Sequence, residues 1–440
     1  MNDSQPLAAA AGHPVLPGRG ASRLTPRQRL EMALRHVEPD RVPVDFGATS
    51  VTGMHVLAVT RLRQALTGDT KFRVKVVEPY QMLGEIDTEL RQLLGIDVLG
   101  LVPRKTMFGF ENQGWKPFAL MDGTEVLVPE KFNVRKDESG DLLIYPEGDM
   151  SVPPSGRMPQ GGHFFDSIKR QEPIDEERLD PANNTEEFGF FSDDDLAWYT
   201  RRIAELEREG DYGIAITVPG AAFGDIALVP GPWMKHPKGI RDVEEWYVST
   251  AMRQDYVLKI FERQCEVALA NIERLISLLG NRVHAAFLTG TDFGTQQGLF
   301  ISTRAYRELF KPFHQRVNGL IHEKTNWKTF IHSCGSVVKL IGEFIEAGFD
   351  ILNPVQCSAV GMDARELKRQ FGRDITFWGG GANTQRTIAF GTPEEVYREV
   401  RERIEIFGPG GGFVFNTVHN VQANTPTENL LAMFRALKEA

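Results

Sequence analysis

Residues 326–344 read NWKTFIHSCGSVVKLIGEF, and this stretch decides the fold. Phe330–Gly335, which follows Asn326–Thr329, is predicted to be a strand, and Val337–Phe344 places apolar residues at helical spacing. A turn at Gly335 and Ser336 joins the two. The stretch is therefore one strand–turn–helix unit. If the fold is built from such units, the same pattern should recur in the rest of the chain.

His332 and Cys334 are two residues apart on this predicted strand, so their side chains are expected to share one face at its C-terminal end. A neutral imidazole and a thiolate aimed at one point suit a zinc ion. A histidine and a cysteine at this spacing are more often simply packed in a core, so a metal site needs support from the rest of the chain.

Strand-then-helix patterns follow one another along most of the chain. Eight short apolar segments are predicted as strands. They are Arg41–Gly47, Ile96–Leu101, Tyr212–Val218, Val283–Leu288, Phe330–Gly335, Ile351–Val355, Ile375–Trp378 and Phe413–Asn416. Apolar rather than alternating strands are expected where parallel strands are buried on both faces. Eight such units predict an α/β fold of the (β/α)8 TIM-barrel type.

An open, doubly wound sheet is the alternative architecture. No Gly-x-Gly-x-x-Gly follows the first strand and no P-loop motif occurs, so the nucleotide-binding forms of that sheet are not favoured. Helical patterns lie between the strands, and Tyr80–Leu94 is predicted to be one of these helices.

One barrel domain over residues 26–440 is predicted, with additions in two places. The pattern changes between about residues 104 and 192: Met107–Met150 alternates like strands, and residues 151–192 are rich in Pro, Gly, Asp and Glu. This region is predicted to be an inserted antiparallel β segment followed by a long surface loop. Residues 1–25 are rich in Ala, Gly and Pro and are predicted to be a disordered leader.

Composition limits the partners and the location. The 440-residue chain has a formal net charge of -9, which argues against nucleic acid as a partner. No apolar run reaches membrane-spanning length. Three cysteines cannot form a disulfide framework in so long a chain, so the reducing cytoplasm is the predicted location. The oligomeric state stays open, with a homodimer as one alternative.

In a (β/α)8 barrel the functional groups lie just past the C-terminal ends of the strands. Several of these positions here are polar. They are Asp292 after the fourth strand, His332 and Cys334 at the fifth, Asn353, Gln356 and Cys357 after the sixth, Gly380, Gly381 and Asn383 after the seventh, and Asn416 and His419 after the eighth. Structural explanations also exist, because Asp292 could cap a turn and Cys357 could be a small buried apolar residue.

Five motifs at these strand ends resemble a known superfamily. They are Thr291–Gln296 (TDFGTQ), His332–Gly335 (HSCG), Phe377–Gly381 (FWGGG), Phe415–His419 (FNTVH) and Thr425–Asn429 (TPTEN). On these motifs the chain resembles the uroporphyrinogen decarboxylase superfamily, which also contains zinc-dependent, corrinoid-linked methyltransferases. The resemblance covers most of residues 26–440 and is strongest after about residue 280.

The two branches of that superfamily differ at positions that can be compared here. The methyltransferases have a His-x-Cys pair and a cysteine six residues before a C-terminal Thr-Pro as zinc ligands. This chain has His332 and Cys334 as the pair and His419 at the third position. The decarboxylases have Asn-x-x-His there, which Asn416 and His419 resemble. They also carry an arginine-rich run for the substrate's carboxylates, but residues 47–53 contain no arginine.

The resemblance and these departures together predict a zinc-dependent methyltransferase. His332, Cys334 and His419 would bind zinc and leave a fourth position open, as in catalytic zinc sites. Asp292 and Asn416 are the predicted catalytic residues. The predicted substrate-binding or cofactor-binding residues are Asn353, Gln356, Gly380, Gly381 and Asn383.

The predicted ligand set also indicates a substrate class. Two imidazoles and one thiolate leave a zinc site near +1, which favours an oxygen leaving group in a small methylated substrate such as a methyl ether or methanol. The acceptor implied by the resemblance is a corrinoid. No Asp-x-His-x-x-Gly motif for binding one occurs, so the corrinoid is predicted to sit on a partner protein. A tetrapyrrole decarboxylase and a non-catalytic tetrapyrrole-binding barrel are the alternatives.

Overall fold

The computed structural model describes Leu16 and residues 24–440. The predicted leader lies almost entirely outside the described residues. The first helix begins with a capping box, in which the Thr25 hydroxyl accepts from Gln28 N at 3.2 Å and the Gln28 side chain accepts from Thr25 N at 3.0 Å. Thr25 therefore caps the N-terminus of this helix.

The core of the molecule is a seven-stranded parallel sheet. Each strand pairs with the next one along the chain, so the order in the sheet is the order in the sequence. Almost all strand residues are buried, which accounts for their continuously apolar sequences. The strands are β1 Val98–Leu101, β2 Gly213–Thr217, β3 Ala285–Thr289, β4 Lys328–His332, β5 Ile351–Asn353, β6 Thr376–Trp378 and β7 Phe413–Val414.

The segment around Val44 is bonded to both edges of this sheet. Asp45 N donates to Phe415 O at 2.9 Å, and Phe415 N donates to Pro43 O at 2.8 Å, next to β7. On the other side Asp97 N, just before β1, donates to Val44 O at 2.8 Å. The sheet is therefore curled, and the α/β fold is TIM-barrel-like.

The predicted first strand, Arg41–Gly47, is reduced in the structure to a single bridge at Val44. Pro43 has no N–H to donate. The Val44 N–H is taken by the Asp97 carboxylate at 2.8 Å, and Arg41 pairs with the same carboxylate at 2.6 Å. The contacts of the Asp97 carboxylate thus take the place of backbone hydrogen bonds that a longer strand would form here.

Helices alternate with the strands from β3 to the end of the described chain, as predicted. The helices are α1 Pro26–Leu34, α2 Val56–Thr67, α3 Thr88–Leu94, α4 Asp193–Arg208, α5 Val243–Met252, α6 Gln254–Leu279, α7 Lys311–Lys324, α8 Val338–Glu346, α9 Ala364–Phe371, α10 Pro393–Phe407 and α11 Thr427–Lys438. A π-helical turn, Tyr306–Phe310, precedes α7. Within the described ranges, no helix has both the length and the apolar character needed to cross a bilayer.

The predicted helix Tyr80–Leu94 is wrong over its first half. Leu83–Gly84 is instead a short strand, antiparallel to Val76–Glu78. The helix begins only after Asp87, whose carboxylate accepts from backbone N–H groups of the first turn at 2.9 and 3.1 Å. A strong N-cap in the middle of a helical pattern decides where the helix starts.

Six antiparallel strands lie between β1 and α4. One hairpin pairs Lys116–Ala119 with Glu125–Val128, and its turn contains Gly123. A four-stranded sheet follows, made of Val134–Lys136, Leu142–Ile144, Gly156–Met158 and Asp166–Ser167. Antiparallel structure is therefore present where the sequence alternates, and the status of this segment as an insertion remains a prediction.

Candidate metal centre

The centre begins where β4 ends. The predicted strand continued to Cys334, but β4 ends at His332 and Cys334 lies in the following turn. Gly335 has φ +84°, and a Cβ there would lie 2.5 Å from Thr295 O and 2.6 Å from Gly294 O. Glycine is therefore required for the turn to pack against the neighbouring segment, and the turn places Cys334 Sγ 3.3 Å from His332 Nε2.

His419 reaches the same point from the segment after β7. Its ring lies 5.4 Å from the His332 ring, centroid to centroid, at 74°. One donor atom from each of His332, Cys334 and His419 lies within 4.8 Å of the others. The next residue, Asn420, accepts from Gly53 N at 2.6 Å, so contacts to the N-terminal part of the fold hold the third donor.

Asn353 determines which nitrogen of His332 is free. Its Nδ2 donates to Trp378 O at 2.7 Å, so its Oδ1 faces the imidazole and accepts from His332 Nδ1–H at 2.5 Å. The lone pair of His332 Nε2 then points toward the other two donors. Such a hydrogen bond to the distal nitrogen is the usual support of a metal-binding histidine. Asn353, predicted to bind substrate or cofactor, is fully buried and supports His332.

All three donors are uncharged before metal binds. Burial lowers the pKa of His332 to about 4, and burial and the neighbouring His332 lower the pKa of His419 to about 4. Burial, and then the carboxylate of Asp292, raise the pKa of the Cys334 thiol well above its usual range. Neutral imidazole is the ligand form, and zinc would displace the thiol proton.

The three residues fit zinc. Tetrahedral zinc with Zn–S of about 2.3 Å and Zn–N of about 2.0 Å places sulfur and nitrogen roughly 3.5 Å apart. The Cys334 Sγ to His332 Nε2 distance of 3.3 Å is close to that value. Cys357 is not among the donor atoms that converge here in the described part of the chain.

Asp292 lies directly beside the donors. Its Oδ1 accepts from Cys334 N at 2.7 Å, and its own backbone oxygen accepts from the Tyr247 hydroxyl at 3.0 Å. Burial raises the pKa of Asp292, while the hydrogen bond from Cys334 and the field of His419 oppose the rise. Asp292 therefore fixes the turn that carries Cys334 and adds negative charge next to the centre.

The other predicted site residues support the strand-end loops. Gln356 accepts from Gly335 N at 2.8 Å, and Asn383 accepts from Gln385 N at 2.9 Å. A Cβ at Gly380 would lie 2.5 Å from Val355 O, and one at Gly381 would overlap the Phe415 ring. These two glycines are explained by packing, and their predicted role in binding stays a prediction.

Asn416 lies beneath the centre, fully buried. Its Nδ2 donates to Asp45 O at 2.7 Å and to Thr52 O at 3.1 Å. Its Oδ1 has no hydrogen-bond partner among the described residues. The contacts seen join β7 to the N-terminal segment, and a catalytic role for Asn416 remains a prediction.

A cavity of about 1410 Å³ leads to the centre and is lined by His332, His419 and Asp292. Asp225 and Glu78 also line it, and sequence reasoning missed both. Burial raises the pKa of Asp225 to about 6 and of Glu78 to about 7. The available signal for Asp225 was its place in the Pro- and Gly-rich segment that follows β2, because the other candidate residues also follow strands of the sheet.

The basic side chains of the cavity wall are all paired with acids within the described chain. The pairs are Arg91 with Glu209, Arg104 with Asp195, Lys105 with Glu147, Lys169 with Asp242, Arg202 with Glu205, and Arg241 with Glu187. Glu78, Asp225 and Asp292 form no ion pair with lysine or arginine in that same part of the chain. The cavity wall therefore holds more acidic groups than basic ones.

Comparison with known proteins shows which family the part of the chain that carries this site resembles. Residues 239–440 match the family model described as uroporphyrinogen decarboxylase (URO-D). The curated uroporphyrinogen decarboxylase of Pseudoalteromonas translucida (strain TAC 125) is 27% identical over 210 residues, which cover 44% of this chain and 56% of that protein. That of Aromatoleum aromaticum is 30% identical over 138 residues, covering 30% of this chain and 35% of its own. The chain spans about half the length, or less, of these relatives.

A solved structure has a similar fold over nearly the whole chain. It is a methyltransferase from Methanosarcina mazei, with a TM-score of 0.52 and 14% identity, covering 95% of this chain and 99% of that one. This likeness shows the fold. The fold and the strand-end site define a TIM-barrel-like α/β protein.

The C-terminal part of this protein, residues 239–440, is similar to the uroporphyrinogen decarboxylase family. The resemblance drawn from the strand-end motifs is thereby confirmed.

Proposed function

We propose that the protein is a zinc-dependent methyltransferase that moves a methyl group from a small substrate, with an O-methyl group favoured, to the corrinoid of a separate partner protein. The observation that carries this proposal is the convergence of His332, Cys334 and His419 within 4.8 Å beside a large cavity. Bound zinc would supply Lewis acidity to the atom that bears the methyl group.

The donor set supports an oxygen-bound methyl group. Two neutral imidazoles and one thiolate leave the zinc site near +1, so zinc there attracts electron density more strongly than between two thiolates. Asn353 supports this arrangement by holding His332 with Nε2 free. Asp292 reduces the positive charge but does not occupy a donor position in the converging group.

The charge of the cavity supports methyl transfer over decarboxylation of uroporphyrinogen. A polycarboxylate substrate requires guanidinium groups that are free to bind it. The arginines of this cavity are engaged with its own carboxylates, and three further acids have no basic partner in the described chain. A neutral or weakly charged substrate suits these surroundings better.

Decarboxylation of a tetrapyrrole is the second candidate, because the curated relatives are uroporphyrinogen decarboxylases and Asn416 with His419 resembles their motif. A paired assay separates the two. Zinc-loaded protein, a methoxylated probe and a reduced corrinoid protein should yield methylcobalamin, followed by its absorption. Uroporphyrinogen without corrinoid should release no carbon dioxide. Carbon dioxide release without methylcobalamin would establish the second candidate.

The proposal extends to the architecture of the barrel, to the docking place of the partner and to the location of the protein. The curled sheet and the Val44 segment would together make a closed (β/α)8 barrel, with the antiparallel strands as an insertion. The partner would dock at the C-terminal mouth of the barrel, where the cavity opens. Zinc content, partner binding and a cytoplasmic location are expectations for measurement, as is the oligomeric state.

A further inference from the structure

Asp225 is delivered to the cavity by a tightly packed loop after β2. Phe223, two residues earlier, is buried in an aromatic cluster with Phe261 and Phe313. Gly224 has φ +67°, and a Cβ there would lie 3.1 Å from the Phe310 ring. A larger residue would push the loop away from these rings. The position of Asp225 is therefore fixed by the core and not by a mobile loop tip.

The end of β3 is shaped to accept the Asp225 carboxylate. Its Oδ2 accepts from Gly290 N at 3.2 Å, and its Oδ1 accepts from Ala227 N at 3.0 Å. A Cβ at residue 290 would lie 2.8 Å from Oδ2, so glycine there allows the approach. Both bonds come from neutral amides, and within the described chain no lysine or arginine pairs with Asp225.

Two carboxyl groups with different surroundings therefore face one cavity. Asp292 follows Gly290 by two residues and bonds to Cys334 N, next to the metal donors. Asp225 touches none of the donors, and the titratable groups that face it are Asp292 and the Tyr247 hydroxyl of α5. Burial, and then repulsion by Asp292, hold the pKa of Asp225 at about 6. Two acids separated in this way can take different roles.

We propose, on the basis of the methyltransferase function above, that Asp225 is the general acid that protonates the leaving oxygen of the methyl donor. The oxygen–methyl bond breaks with its electron pair remaining on oxygen, and the methyl carbon bonds to cobalt(I) of the partner's corrinoid, which becomes formally cobalt(III). The carboxyl proton of Asp225 passes to that oxygen, giving a neutral alcohol or phenol. Asp225 then regains a proton from solvent.

Leaving-group dependence tests this role. Methyl transfer by Asp225→Asn should fall about 100-fold or more with anisole, whose phenoxide needs protonation. It should fall much less with 4-nitroanisole, whose leaving group is stable without a proton. Asp166→Asn, which changes an exposed acid elsewhere on the cavity wall, should match wild type with both probes. Equal losses with both probes in Asp225→Asn would overturn the proposal.

A binding measurement tests the same role without turnover. Anisole only accepts hydrogen bonds, so it should bind zinc-loaded, corrinoid-free wild type several-fold more weakly as pH rises from 5 to 7.5 and Asp225 ionises. Asp225→Asn always has a donor, so its affinity should not change across this range. The same pH dependence in both proteins, or none in wild type, would overturn the role of Asp225. Failure of methylcobalamin formation in wild type with every methoxylated probe would instead count against the methyltransferase function.

Discussion

Cys334 and Cys357 lie on neighbouring strand-end loops, yet only Cys334 is among the converging donors. We predict that purified protein carries about one zinc per chain, as three donors around one open position imply. Cys334→Ser should lose most of it, because a serine hydroxyl remains protonated and is a poor ligand. Cys357→Ser should keep it. Metal analysis of the three proteins checks this, and equal zinc in both variants would remove Cys334 from the site.

His419 sets the charge of the proposed centre. His419→Cys should retain zinc, because a second thiolate is an equally good ligand, whereas His419→Ala should weaken binding. Methyl transfer from an O-methyl donor should nevertheless fall in zinc-loaded His419→Cys, since the site becomes formally neutral. The measurement is the initial rate of each protein after equal zinc loading. Equal rates would contradict the charge argument and leave the ligand assignment intact.

The pKa values of the donors predict how zinc affinity depends on pH. His332 and His419 have pKa values of about 4, so near neutral pH each is a neutral imidazole with one ring nitrogen free to bind zinc, and Cys334 is the only donor that must lose a proton. Zinc binding should therefore release one proton, and the apparent affinity should rise about tenfold per pH unit between pH 5 and 8. Calorimetric titration in buffers of different ionisation enthalpy counts the protons. Release of two or more protons at about pH 5.5, where water bound to zinc keeps its protons, would show that a histidine is protonated in the free protein.

At the level of elements, the turn after β4 is what unites His332 and Cys334. Gly335→Ala adds a Cβ at positive φ within 2.6 Å of backbone, so it should destabilise the fold by about 2–4 kcal/mol and lower the zinc content. Gly342→Ala is the matched control, because it lies in α8 with nothing within 4 Å of the added methyl. It should be neutral or stabilise by about 0.5–1 kcal/mol. Chemical denaturation of both variants tests the difference, and equal stabilities would contradict it.

The sequence predicts elements well where the pattern is local and long. The strand–helix alternation after residue 280 and the three side chains that converge as candidate donors could be found, because apolar runs and strand ends are visible in the chain itself. The turn that carries Cys334 depends on the approach of Gly294, and the loss of the Arg41–Gly47 strand depends on Asp97. Both are contacts between residues far apart in the chain, and the spacing of apolar residues does not predict such contacts. Asp225 follows a predicted strand and so had a local signal, but its approach to Gly290 is again a contact between distant residues.

At the scale of the whole molecule, the residues that match the family model, 239–440, do not form an independent structural unit. Residues 239–440 hold all three donors and β3 to β7, but β3 pairs with β2 and β7 bonds to the Val44 segment. Expressed alone, this fragment would expose both sheet edges. We predict that it aggregates or unfolds and binds no zinc. Full-length Cys334→Ser should remain folded by circular dichroism, which separates loss of fold from loss of metal. A soluble fragment that unfolds cooperatively would contradict the prediction.

The Val44–Asp45 segment is bonded to the chain at Phe415, and these bonds can form only after both segments have been synthesised. Asn416 reaches Asp45 across 371 positions of the chain. At translation rates of roughly 5–20 residues per second, about 20–75 s pass between synthesis of the two sides of this junction. Until then the early segment can bond to Asp97 but not to Phe415, and His419 has not yet been made. The three candidate donors can therefore come together only after residue 419 has been made, and we expect zinc to bind after that point.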